Sequence, residues 1–363
     1  MLLYTDLLKA SANTDFESAI ENLRSGDPRA LARAISTVEN RATGWSDLLK
    51  ALFLYTGKAR VIGLTGAPGA GKSTLVDHLA RLYRNTKNPQ TNRNERRLPR
   101  PPAADRGEGT ARGSTDENYT VGIIAVDPTS PYSGGAILGD RIRMQDHFAD
   151  PGIYIRSMAT RGSLGGLART TADVATVLDA SGRDVILIET VGVGQDEIEI
   201  VRLADVTVVI LVPGMGDDVQ TIKAGIMEIA DIFVINKSDR DGAERVEREI
   251  RALQSLATRN DGWTPPIVKT VASEGKGVEE LAAAVAEYAN YLEKENRALT
   301  KSVENWQERL VQMLRDAMLE RARTQLGEGN IRSLAREVAE HKRDPYSLIE
   351  EIAGKTDSSL RSG

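Results

Sequence analysis

Seven short β-rich runs, RVIGLTG, YTVGIIAVD, GIYIRSM, DVILIETVG, VTVVILVP, IFVINKSD and PPIVKTVA, recur between residues 60 and 272. Each is nearly continuously apolar, the signature of a strand buried on both faces, and helical stretches separate several of them. Strands that alternate with helices form βαβ units and a mostly parallel sheet. This pattern predicts an α/β domain over about 56–288. Helical periodicity precedes it over 1–55, where Asp27-Pro28 reads as an N-cap followed by proline at the first helical position. A helical, heavily charged arm follows over 289–363, with Trp306, Leu310, Met313, Leu314 and Ala317 on one stripe that needs a cover. Residues 85–118 break the alternation. They hold four prolines, many charges and almost no large apolar side chain, and so read as a disordered surface insert.

Composition narrows the chemistry. The 363 residues contain no cysteine, which excludes disulfides, a nucleophilic thiol and any Cys-based metal site, and only three histidines, His78, His147 and His341. With 47 basic and 52 acidic residues the net charge is −5, which argues against a nucleic-acid binder. No apolar run reaches the length of a membrane span, and MLLYTDLLKA shows no targeting leader, so the expected location is the cytoplasm.

The segment GAPGAGKST, residues 66–74, follows the first predicted strand and precedes the helical run LVDHLARLY. It fits G-x-x-x-x-G-K-[ST] in the strand–loop–helix setting that this motif requires. Glycines allow backbone N–H groups to curl around phosphates, and the helix N-terminus adds partial positive charge. The expected nucleotide contacts are Gly66, Ala67, Pro68, Gly69, Ala70, Gly71, Lys72, Ser73 and Thr74. Lys72 is assigned to the β- and γ-phosphates and the Ser73 hydroxyl to Mg²⁺.

NKSD (236–239) ends the strand IFVI, at the carboxyl edge where open α/β sheets bind ligands. The Asp239 carboxylate can accept from N1–H and the exocyclic amine of guanine, whereas adenine would leave it unpaired. Asn236 is expected to brace the loop and the Lys237 stem to cover the base. Val271, Ala272 and Ser273, within TVAS, are expected to finish the base pocket. GTP and GDP are therefore the predicted ligands, in preference to ATP.

ETVGVGQ (189–195) supplies Glu189 as the acid at a strand end, where most GTPases carry Asp, and Gly192 as the γ-phosphate sensor. Gln195 lies beyond the usual water-positioning place. Asp127 and Asp140 lie on the Pro/Gly/Ser-rich run DPTSPYSGGAILGD, and carboxylates beside phosphates suit Mg²⁺. Arg141 and Arg143 follow it. In PGMGDDVQTIKAGIMEIAD, local evidence alone reads Asp217, Asp218, Gln220 and Lys223 as the start of a capped helix.

Taken together, GAPGAGKST, VDPTSPYSGGAILGDRIRM, IRSMATRGSLGGL, ETVGVGQ, VPGMGDDVQTIKAGIMEIAD and NKSD resemble the methylmalonyl-CoA mutase-associated GTPases, the MeaB/ArgK group, over about 1–84 and 119–350. The resemblance implies a P-loop GTPase that chaperones an adenosylcobalamin-dependent acyl-CoA mutase, gating cofactor loading and guarding the mutase from inactivation. It also implies a homodimer held partly by the C-terminal arm. By motif position it assigns Asp127, Asp140 and Glu189 to Mg²⁺ and two switches, and Gln220 and Lys223 to a third switch. The insert at 85–118 departs from the family pattern. Two rival readings are a metal-insertion GTPase, which normally needs Cys or His ligands, and a kinase acting on a transport or other protein, for which no base motif is visible.

Overall fold

The computed structural model describes residues 14–88, 118–127, 147, 149–159, 166–190, 203–214, 229–256, 261–294 and 297–358. It divides into two compact units, Met1–Lys301 and Ser302–Gly363.

The first unit opens with helices α1 (Thr14–Arg24), α2 (Pro28–Glu39) and α3 (Trp45–Phe53). Asp27 caps α2 by accepting from the Arg29 N–H at 2.8 Å, and Pro28 takes the first helical position, as expected. Then come β1 (Arg60–Gly66), α4 (Lys72–Asn85), β2 (Val121–Asp127), β3 (Ile153–Ala159), α5 (Gly166–Ala180), β4 (Val185–Glu189), β5 (Val206–Leu211), β6 (Ile232–Asn236), α6 (Ala243–Leu256), β7 (Ile267–Thr270) and α7 (Val278–Lys294).

All seven predicted strands form one sheet in the order β3-β2-β4-β1-β5-β6-β7, with every neighbouring pair parallel. The period of two sorts side chains between two apolar faces. Ile62, Leu64, Ile123, Leu187, Val208 and Val234 turn towards α4 and α7. On the other face Ile124, Ile186 and Ile188 join Val174 and Leu178 of α5 and Leu31 and Ile35 of α2. Phe233 and Ile235 meet Val246 and Ile250 of α6. Both faces are covered, which is why these runs lack the polar alternation of a half-wet strand.

The N-terminal helices share this core rather than packing only on one another. The Asp179 carboxylate on α5 also accepts from the backbone N–H groups of Gly57, Lys58 and Ala59, fixing the entry to β1. Helix α7 runs unbroken past residue 288, burying Ala289 and Leu292 in the core. Beyond it, Lys301 pairs with the buried Asp231 at 2.7 Å.

Residues 89–117 of the predicted insert lie outside the described residues. Its two ends are described. Helix α4 continues to Asn85, Lys87 and Asn118 form an antiparallel bridge, the Tyr119 N–H donates to the Thr86 carbonyl, and Asn88 donates to Asp184. The insert thus leaves and re-enters through a closed neck at the far end of α4 from residues 66–74.

The second unit contains most of α8 (Arg297–Leu326), with α9 (Glu328–Ala339) and α10 (Pro345–Ser358). Leu310, Met313 and Leu314 of the predicted stripe are exposed, as are Val303, Val311 and Met318. Among the described residues no helix is long and apolar enough to cross a membrane.

Candidate nucleotide site

Strand β1 lies at the middle of the sheet, between β4 and β5, so the loop at its carboxyl end sits where two neighbouring strand ends can also contribute. Steric limits define that loop. Gly69 and Gly71 hold φ of 76° and 89°, in the left-handed region that favours glycine. A Cβ on Gly71 would fall 2.3 Å from Asn236 Nδ2, and one on Gly66 would fall 2.2 Å from the Ile210 carbonyl oxygen. Lys72 then opens α4, whose first-turn N–H groups face the curl of the loop.

Lys72 Nζ donates to the carbonyls of Gly66 at 2.7 Å and Ala67 at 3.1 Å, which holds the ammonium within the curl. The Ser73 hydroxyl donates to Glu189 Oε1 at 2.6 Å. Lys72, Ser73 and Glu189 are 5%, 9% and 4% exposed, so all three predicted site residues are buried, with Ser73 and Glu189 directly paired. Glu189 is aligned with Leu64 across the β1–β4 pair, and Thr190 beyond it is locked to β1. The Thr190 N–H donates to the Leu64 carbonyl at 3.1 Å, and its hydroxyl lies 3.1 Å from that of Thr65. These threonine contacts had no signal in the sequence beyond their place next to two motifs.

A hydroxyl and a carboxylate side by side are hard oxygen donors, the chemistry that suits Mg²⁺. Asp127 ends β2, the next strand but one from β1, and its side chain is not described. Asp140, Arg141, Arg143, Gly192, Gln195, Asp217, Asp218, Gln220 and Lys223 lie outside the described residues.

The base-loop residues converge on the same corner. Asn236 is 1% exposed; its Nδ2 donates to the Ala70 carbonyl at 2.7 Å. Its Oδ1 accepts from the Thr270 hydroxyl and the Ala272 N–H, each at 3.0 Å. One side chain therefore ties the loop at 66–74, the end of β6 and the segment after β7 together, the bracing role expected of it. Lys237 adopts a left-handed φ of 55°, and its ammonium reaches the Gly69 carbonyl at 2.8 Å. Asp239 projects as an exposed carboxylate. Ser238 N–H donates to the Thr270 carbonyl, and Val271 N–H to that of Lys276, so 236–239 and 271–276 lie side by side at the ends of β6 and β7. Ala272 is buried and Ser273 exposed there.

Phosphate-type loop, hard-oxygen pair and base-type loop thus share one rim of the sheet. The family model described as methylmalonyl-CoA mutase-associated GTPase MeaB matches residues 31–88 and 111–326. The chain belongs to this GTPase family. The unmatched residues between those spans fall inside the insert. A Pyrococcus abyssi protein named as a GTPase is 44% identical over 345 residues, covering 93% of this chain and 97% of that one. The GTPase ArgK of Escherichia coli is 34% identical over 287 residues, 77% of each chain. A crystal structure described as a LAO/AO transport system kinase has a TM-score of 0.66, covering 95% of this chain and 98% of that one. Its identity is 24%, so that likeness is one of fold alone.

Proposed function

We propose that the protein binds GTP and GDP at this rim, hydrolyses GTP, and serves as a nucleotide-gated chaperone of an adenosylcobalamin-dependent acyl-CoA mutase, with methylmalonyl-CoA mutase the first candidate. The single observation that carries the nucleotide reading is the Asn236 bridge, which joins a phosphate-type loop to a base-type loop in one hydrogen-bonded corner. The family description, which names association with methylmalonyl-CoA mutase, supports the partner.

In this reading the backbone N–H groups of 66–74 and the start of α4 receive the phosphates. Lys72 exchanges its loop carbonyls for β- and γ-phosphate oxygens. Asp239 accepts from the guanine edge, Lys237 covers the base, and 271–273 close the pocket. Ser73 and Glu189, with Asp127 and Asp140, hold Mg²⁺; the ion supplies neutralisation of charge on the phosphate oxygens. Gly192 senses the γ-phosphate, and Gln220 and Lys223 carry the nucleotide state to the mutase. Residues 1–55 form an N-terminal segment, 56–301 the GTPase domain, which keeps the whole of α7 rather than ending at 288, and 302–363 an arm through which two copies associate. The exposed apolar side chains of α8 support that association. The site of action is the cytoplasm.

The test is complex formation with purified methylmalonyl-CoA mutase by sedimentation velocity, in GDP and in a non-hydrolysable GTP analogue. The expected result is a complex whose stability changes with nucleotide. Equal binding in both states, or none with any acyl-CoA mutase, counts against the chaperone role while leaving the nucleotide site intact.

A further inference from the structure

His147 is 4% exposed, and its Nε2 lies 2.6 Å from Asp77 Oδ1 on α4. Asp77 is one helical turn after Ser73, on the same face of α4. Asp77 also pairs with Arg81 at 3.2 Å. Two turns further along, Arg84 grips the Asp150 carboxylate with two hydrogen bonds, at 2.9 and 2.8 Å, and donates to the Tyr119 carbonyl. The bare Cα of Gly152 lets the guanidinium lie in this place, since a Cβ there would fall 2.1 Å from the Arg84 guanidinium carbon. The Asp150 N–H donates in turn to the His147 carbonyl.

The chain that leaves β2 at Asp127 therefore returns onto the helix that carries Lys72 and Ser73, and is fastened to it twice. The lower fastening, Arg84–Asp150, sits near the end of α4. The upper one, His147–Asp77, is the nearer to Ser73, and it lies seven residues along the chain from Asp140.

We propose that His147 and Asp77 are positioning residues for the magnesium-dependent step of nucleotide binding. Their contact sets the register between the returning chain and the Ser73 turn of α4. This rests on the GTPase reading above and adds to it a residue pair that none of the nucleotide motifs contains. A buried hydrogen bond of this kind fixes both partners without touching the ligand, and it acts through the helix turn that joins Asp77 to Ser73.

The experiment uses the full-length protein, with His147→Ala and His147→Gln. Fluorescent GDP and GTP analogues give affinities with Mg²⁺ and in EDTA, and single-turnover hydrolysis is measured against Mg²⁺ concentration. His147→Ala should lose about tenfold or more of the Mg²⁺-dependent gain in GTP affinity and shift the Mg²⁺ requirement of hydrolysis upward. GDP affinity in EDTA should stay within about twofold, because the backbone phosphate cradle is untouched. His147→Gln, whose amide can still donate to Asp77, should restore most of the loss. The proposal is overturned if His147→Ala keeps the wild-type Mg²⁺ dependence. It is equally overturned if affinity in EDTA, affinity in Mg²⁺ and melting temperature fall together and Gln restores none of them. Wild-type protein that binds no guanine nucleotide would overturn the GTPase reading itself, and this proposal with it.

Discussion

Replacing Asn236 with alanine tests whether the nucleotide corner is held together by the chain itself. The side chain is almost fully buried and makes three hydrogen bonds, to the Ala70 carbonyl, the Ala272 N–H and the Thr270 hydroxyl. Alanine leaves two backbone groups stranded in a closed corner, at about 1–2 kcal/mol each, and removes the threonine bond, at about 1 kcal/mol. The expected loss is about 3–5 kcal/mol, a large fraction of the stability of an ordinary domain. The control is Asn40→Ala, where an exposed amide makes one described side-chain bond, to the Ser36 carbonyl, and the loss should be under about 1 kcal/mol. Urea unfolding in the absence of nucleotide is the assay. Trp306 lies in the second compact unit, so a Trp306→Phe background lets Trp45 and Trp263 report the first unit alone. The urea midpoint should fall at unchanged slope. An Asn236→Ala loss no larger than that of Asn40→Ala would refute the bridge as a structural element.

Other outcomes follow from single contacts. Asp239→Asn should reverse the base preference from guanine to xanthine, with a loss of GTP affinity of about 10²-fold or more read by competition binding; unchanged GTP affinity removes Asp239 from the site. Burial pulls the Asp150 carboxyl upward, but hydrogen bonds from Arg84 and the Gly152 N–H, with the charges of Arg84 and His147, outweigh it and leave it below its ordinary 3.8. A carboxyl depressed in the folded state contributes stability that is full above its unfolded pKa and is lost as pH falls through the folded one. Asp150→Asn should therefore cost about 3 kcal/mol at pH 7 by leaving a buried guanidinium unpaired, with the gap to wild type narrowing below about pH 4 in acid titrations of unfolding. Replacing residues 89–117 with a short glycine-containing turn should leave GTP affinity within about twofold, since the neck lies at the far end of a helix of about 20 Å. A large loss of GTP affinity on that excision would show that the insert reaches the site.

The sheet was legible because each of its strands is apolar on both faces, a pattern that survives without any knowledge of neighbours. Ile186 and Leu187 turn to opposite faces, yet both must be apolar, and the sequence carries that directly. The P-loop was legible for a related reason: its glycines answer to backbone φ and close approach, which are local demands. Asn236 was read correctly as a brace because its motif fixes its place at a strand end. His147–Asp77 and Arg84–Asp150 were not legible, since pairs 70 and 66 residues apart leave no periodic trace. The neck of the insert was also hidden. Composition changes at residue 85, but Lys87 and Asn118 pair through their backbones, which composition does not report. The N-terminal helices read as a separate segment because their periodicity differs, although Leu31 and Ile35 complete the same core as Leu178.

GTP hydrolysis by the purified protein, measured alone and with purified methylmalonyl-CoA mutase, is the most direct measurement of whether this site works in the service of a mutase. If the proposed function holds, turnover is slow alone and accelerates strongly when the mutase is added, with ATP left unhydrolysed. Fast turnover that the mutase leaves unchanged, or transfer of the γ-phosphate to a protein hydroxyl in place of water, would contradict it.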